Sequence, residues 1–278
     1  MSFSSSWLAL REPADLKARA PELLQVLEGF FSSRDYADIV DLGSGTGSTL
    51  RALQDILPKR QSWRLIDNDP DLLAAAGDEL AAWADSAGVH GDALLLEKAG
   101  RSIRVRFIEA DLAADPTPWE APHPDLVTAS ALFDLVSAEW IDRFAKAVVT
   151  ARVPVYASLN YDGRAIWEPA HPADEDILGC FNRHQGSDKG FGPASGPQAA
   201  ERLTSRLSAQ GFHVKTASSP WLLTDDARPL ADELNRGVAN AIHEIGEIDG
   251  SVVEDWLQAR LQGDETRIGH TDVLGLPG

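Results

Sequence analysis

The chain has 278 residues, with 25 Lys and Arg against 43 Asp and Glu, for a formal charge of −18. That excess of acid repels phosphate backbones, so no nucleic-acid partner is expected. Cys180 is the only cysteine, which excludes a disulfide framework and a cysteine-rich zinc site. Residues 1–10 lack the basic start and apolar core of a secretion signal, and no run reaches the roughly eighteen apolar residues of a spanning helix. The expectation is a cytoplasmic protein with no membrane partner, monomeric or homodimeric.

In chain order, residues 1–6 are serine-rich and expected to be mobile. Residues 12–33 read as one helix, with Leu16, Leu23, Leu24, Leu27, Phe30 and Phe31 at helical spacing. Ile39-Val40-Asp41-Leu42 is a strand, Gly43-Ser44-Gly45-Thr46-Gly47 a tight turn, and 49–57 a helix closed by Pro58. A second strand covers 62–66. Asp69 caps the next helix with Pro70 at its first position, and that helix runs over 71–87. Two strand-like runs at 93–96 and 103–108 flank a hairpin turn. Arg101-Ser102-Ile103-Arg104-Val105-Arg106, the densest basic stretch, alternates like the solvent face of a strand. Strands follow at 125–129, 153–159 and 212–217, with Ser137 capping a helix over 138–150 and a further helix over 197–210. Residues 225–261 are helical, and 267–276 form a last strand.

Glycines at alternate positions let a loop approach a ligand closely, because they lack Cβ and tolerate positive φ. A dinucleotide loop places glycines first, third and sixth. Here Ser48 holds the sixth place and Asp41 stands in the strand end. Asp41-Leu42-Gly43-Ser44-Gly45-Thr46-Gly47 resembles instead the first motif of class I S-adenosylmethionine-dependent methyltransferases, and Asp67-Asn68-Asp69-Pro70 resembles the second. Asp67 stands twenty residues beyond Gly47, where Rossmann-like sheets place a ribose-binding acid. Glu109-Ala110-Asp111-Leu112 resembles the motif whose acid accepts from the adenine amino group. The resemblance implies an α/β, Rossmann-like, mostly parallel seven-stranded sheet with an antiparallel last strand and helices on both faces.

It further implies S-adenosyl-L-methionine as cofactor and in-line methyl transfer to a small-molecule acceptor. The cofactor residues would be Asp41, Gly43, Ser44, Gly45, Gly47, Asp67, Asn68, Asp111, Leu112 and Ser130, with Arg11 toward the cofactor carboxylate. The chain divides on this reading into a helical cap (1–35), a cofactor-binding half (36–160), a substrate lid (161–197) and a helical insertion (225–262) of a single domain. The lid is read as a long aromatic loop, which in a compact domain is usually functional.

Asn160, Tyr161, Trp167 and Gln185 are its substrate candidates, with Trp167 part of an aromatic wall for a planar or cationic acceptor. His184 is the first candidate for a general base, His171 the second, with His243 and His270 further options. No metal is expected: His171, Asp174, Glu175, Asp176 and His184 show no defined ligand spacing, and the carboxylates suit a helix start. The competing readings are a nicotinamide-dependent oxidoreductase and a catalytically silent domain of the same fold.

Overall fold

The computed structural model describes residues 3–119 and 122–278; Met1 and Ser2, the start of the serine-rich stretch, lie outside them. The single N-terminal helix read from periodicity is two: α1 (Ser5–Ala18), capped by the Ser4 hydroxyl, and α2 (Pro21–Phe31). They part at Arg19-Ala20 because Pro21 has no N–H to continue a helix but suits its first turn. The serine stretch thus enters α1 from Ser5 onward.

Next come β1 (Tyr36–Leu42), α3 (Ser48–Leu53), β2 (Arg60–Asp67) and α4 (Pro70–Trp83), whose first N–H groups are taken by the Asp69 carboxylate. The helix expected over 71–87 stops at Trp83, and 86–90 instead form β3 (Ser86–His90), an exposed edge strand on β4 (Ala93–Lys98). The chain continues through β5 (Arg101–Glu109), β6 (Leu126–Ser130), α5 (Ala138–Ala151) and β7 (Val155–Glu168). It ends with α6 (Asp174–Gln185), α7 (Ala199–Ser208), β8 (Phe212–Ser218), β9 (Trp221–Leu223), α8 (Arg228–Ile245), α9 (Gly250–Arg260) and β10 (Glu265–Pro277).

One sheet holds ten strands in the order β3-β4-β5-β2-β1-β6-β7-β10-β8, with β9 on β10. The seven expected strands form its body: β5, β2, β1, β6 and β7 run parallel, and β10 is antiparallel between β7 and β8. The edge strands β3 and β4 and the short β9 enlarge it. Successive residues of β1 point to opposite faces. Val40 and Leu42 pack with Phe133, Trp140 and Phe144 under α5 and α7, whereas Ile39 packs with Leu27, Leu50, Trp63 and Leu80 under α2, α3 and α4. Each such buried side chain contributes about 1.5–3 kcal/mol.

The segment 161–197 is not one long loop. β7 runs through it to Glu168, paired with the first half of β10, and α6 follows. This pairing joins residues about a hundred positions apart, so no local signal announces it. Both strands change course midway: Leu159 adopts a left-handed φ of 57°, and the β7–β10 register shifts on both sides of His270-Thr271. The bend is fixed by Asp272, fully buried, whose carboxylate accepts from the backbone N–H groups of Leu159 and Ala20 and from the hydroxyls of Tyr156 and Ser219, at 2.5–3.1 Å. Beyond the bend, two smaller apolar clusters join the strand ends to α6, α8 and α9, one around Trp167, Ile177, Ile242 and Trp256 and the other around Tyr161, Trp221, Leu230 and Ile268.

Candidate active site

Parallel strands leave a crevice beyond their carboxyl ends, and ligands of open α/β sheets sit there. The turn after β1 is built for close approach. Gly43, Gly45 and Gly47 have φ of 61°, 51° and 81°, and a Cβ on Gly45 would lie 2.8 Å from Leu8 Cδ1 of α1. The turn is held from below by Ser44 N–H on the Ile66 carbonyl (3.0 Å). It is held from the side by Asp67, whose Oδ2 accepts from Gly45 N–H at 2.9 Å while Oδ1 accepts from Asp69 N–H at 3.1 Å. Burial raises the Asp67 carboxyl above its ordinary range, against the pull of these N–H groups.

Around this turn runs a cleft with a cavity of about 160 Å³, lined on one side by Gly43, Gly45, Asp67, Asn68, Asp111 and Leu112. Ser130, Ala131, Leu132 and Leu135 line the other wall, Phe3, Leu8 and Arg11 of the N-terminal arm roof it, and Lys189-Gly190-Phe191 close one end. A narrow branch continues past Ser44, Thr46, Ser48 and Thr49 to Arg11 and Asp15. Ser44 Oγ is buried there without a hydrogen-bond partner. The roof is anchored: Glu12 grips Arg51 of α3 at 2.5 and 2.6 Å, and Asp15 holds both Arg11 (2.9 Å) and the Trp221 indole N–H (2.9 Å).

Two of the residues read as cofactor contacts do not reach the cleft wall. Asp41 is buried behind the turn, where Oδ1 accepts from the Thr128 hydroxyl at 2.7 Å and Oδ2 has no partner. Desolvation drives its carboxyl up to about 7. Gly47 begins α3 and packs on Leu80 and Leu65.

A second chamber of about 170 Å³ shares Phe3, Arg11, Ala131 and Leu135 with the cleft and extends under the bend of β7 and β10. Tyr161, Trp167 and Gln185 line it, with Trp7, Phe181, Trp221, Asp134 and His270. Asn160 does not: its side-chain NH2 donates to the Ala157 and Thr271 carbonyls, tying β7 to β10, while its Oδ1 is buried without a partner. His184 also faces elsewhere, with Nε2 3.2 Å from Glu244 and Nδ1 3.5 Å from the Lys189 ammonium. His171, just before α6, is paired with Asp255 of α9, and His243 lies in the last turn of α8. Among the described residues no group of three His, Cys, Asp or Glu could hold a metal ion. Asp174, Glu175 and Asp176 occupy the first turn of α6, where negative charge is favoured.

No family model and no curated protein sequence matches the chain. Solved structures do. The YcgJ protein of Bacillus subtilis superposes with a TM-score of 0.54 at 11% identity, over 93% of this chain and 99% of that one. A candidate methyltransferase of Bacillus halodurans gives 0.51, also at 11% identity, over 92% and 99%. The fold is that of the class I methyltransferases. At such low identity the likeness concerns the fold alone, so the roles of individual side chains rest on their own geometry.

Within this methyltransferase fold, three residues stand out that motif reading left without a role. Asp134, in the turn after β6, is 8% exposed and has Oδ1 without a partner; burial raises its carboxyl to about 6. Asp272 makes the joint described above. Arg19, 4% exposed, donates to the Ser158 and Ser130 hydroxyls from the break between α1 and α2. The one local signal that could have found Arg19 is its place at a helix break two residues before Pro21; Asp272 is one of several polar residues in its strand and has no such signal.

Proposed function

We propose that the chain binds S-adenosyl-L-methionine in the cleft and transfers its methyl group to a small molecule held in the adjoining chamber. The observation that carries this is the convergence of Asp67, Asp111 and the Gly43–Gly45 turn, from successive strand ends, on one cleft that opens into a second, aromatic compartment. The residues present suit that nucleoside. Asp67 and Asn68 would take the ribose hydroxyls, Asp111 and Leu112 the adenine, and Ser130, Ser44 and Arg11 the amino-acid end. Ser44 Oγ is an unspent polar group there, and the missing Cβ of Gly45 lets Leu8 of α1 pack against the turn beside the cleft.

When bound, the group supplies a methyl already activated by a positively charged sulfur. What remains for the protein is alignment and exclusion of water, and alignment of this kind contributes about 7–11 kcal/mol. The N-terminal arm serves both ends of that task. Phe3 and Arg11 contribute to cleft and chamber alike, so the arm closes over both ligands. A chamber of about 170 Å³ suits a small acceptor, in agreement with the acidic charge that disfavours nucleic acid.

Calorimetry tests the reading. S-adenosylmethionine and its demethylated product bind and NAD does not; the reverse preference would restore the oxidoreductase alternative. Binding without turnover on any small acceptor would favour the catalytically silent domain.

A further inference from the structure

The chamber carries a chemical signature of its own, which deepens the methyltransferase reading and rests on it. Its wall is largely aromatic, formed by Trp7, Tyr161, Trp167, Phe181 and Trp221. Against that wall stand three polar atoms that the fold leaves without a partner, Asp134 Oδ1, His270 Nδ1 and the Trp7 indole Nε1. Asp134 and His270 are both buried, at 8% and 5% residue exposure. Buried polar atoms are normally paired, so three orphans in one small cavity mark where a ligand's own polar groups belong.

The charges decide which ligand. Arg11, the cation of the chamber, is committed: it forks onto Asp15 at 2.9 and 3.2 Å and lies over the Trp221 ring at 5.0 Å. Asp15 in turn accepts from the Trp221 indole. Asp134, eased by the nearby Arg11 and by the Tyr161 backbone N–H but held in no ion pair, is thereby left as the acid of the chamber wall, in the company of aromatic faces that attract cations. Size adds a bound. At about 170 Å³ the space is close to that of a cavity of roughly 150 Å³ that takes a benzene ring.

We propose that the methyl acceptor is a primary or secondary amine on an apolar body of about one ring, its nitrogen held by Asp134. The ammonium form enters on the carboxylate, with aromatic faces around it. It passes one proton to Asp134 Oδ1. The freed lone pair then forms the new nitrogen–carbon bond to the methyl as the carbon–sulfur bond breaks, and that bond's electron pair stays on sulfur and cancels its charge. The product is the methylated ammonium, and Asp134 returns its proton to solvent as the product leaves.

The groups facing Asp134 are Arg11 from α1, Tyr161 from β7 and His270 from β10; the walls from α6 and α8 are Phe181, Gln185, Leu234 and Val238, none of them ionisable. Tyr161 is held protonated by burial and by the neighbouring carboxylates of Asp162 and Asp134, and His270 is held neutral by burial and by Arg11. Asp134 is therefore the group whose titration the bound amine reads between pH 5 and 8.

The test is calorimetric titration of the full chain with benzylamine, benzyl alcohol and benzoate, without nucleoside and again with S-adenosylhomocysteine. Benzylamine is expected to bind at least tenfold more tightly than the other two. Its affinity should fall about tenfold from pH 7 to pH 5, as a carboxyl near 6 becomes protonated. Asp134→Asn should remove both the preference and the pH dependence while leaving S-adenosylhomocysteine affinity unchanged. Tighter binding of benzoate would overturn the proposal in favour of Arg11 as the anchor, and equal binding of amine and alcohol would overturn it outright. Should Asp134→Asn fail to fold, the three-ligand comparison and the pH dependence on the unaltered chain still decide. Failure of S-adenosylhomocysteine to bind would count against the methyl-donor reading alone, because the amine titration without nucleoside is read separately.

Discussion

Asp41 offers a sharp test, because its environment works against its charge. It is almost wholly buried, one oxygen is satisfied by Thr128 and the other has no partner, and desolvation raises its carboxyl from an ordinary 3.8 to about 7. A group whose folded-state pKa lies above its unfolded value adds stability at low pH, and that stability is lost as pH rises through the folded value. The full shift of about three units corresponds to ~4 kcal/mol. Between pH 5 and pH 8 the loss comes to roughly 2.5 kcal/mol.

Asp41→Asn keeps the shape and the acceptor for Thr128 but cannot ionise. Urea unfolding at pH 5 and pH 8 should therefore show that, relative to the parent chain, the variant gains about 2.5 kcal/mol on going from the lower to the higher pH. Parallel pH profiles for the two chains would refute the reasoning and mean that solvent or a neighbouring cation already compensates the carboxylate.

His270 should behave in the opposite sense. Burial and Arg11 lower its imidazole to about 3, so its contribution is complete above the ordinary 6.5 and is lost as pH falls; His270→Gln should spare about 2 kcal/mol of stability at pH 5 relative to pH 8, read in the same urea experiment. Gly45→Ala places a Cβ 2.8 Å from Leu8 at a φ of 51° and should cost about 1–2 kcal/mol in thermal unfolding, with weaker nucleoside binding as α1 is pushed off the cleft. His184→Ala should leave turnover within about twofold in steady-state assays, because the ring lines neither compartment and is engaged with Glu244 and with the Lys189 ammonium at the end of the cleft.

The cofactor half of the fold was readable because its signals are local. An apolar run, a glycine turn, and Asp69 followed by Pro70 each specify structure within a few residues, and they set β1, β2 and the start of α4 where expected. Asp67, Asn68, Asp111 and Leu112 duly line one cleft. The chamber was harder. The β7 extension looks like a loop in sequence because its partner, the first half of β10, lies about a hundred residues on, and glycine and charged residues interrupt its alternation.

Asp41 and Asn160 show the other limit. Both sit at strand ends, as ligand-binding residues do, but the strand end places one behind the turn and spends the other on holding β7 to β10. His184 was attractive for its chemistry, and only the packing of α6 against α8 reveals that its ring meets Glu244. Asp134 drew no attention for the converse reason: a lone acid in a turn has no pattern until aromatic side chains from four other elements surround it.

The central claim is that one nucleoside is gripped at the tips of β2 and β5, and Asp67 is the residue through which it is most directly measured. Calorimetry should give S-adenosylhomocysteine binding to the parent chain, weakened by about 1–3 kcal/mol in Asp67→Ala, the cost of a lost charged hydrogen bond. Undiminished affinity in that variant, or no binding to either chain, would contradict the account.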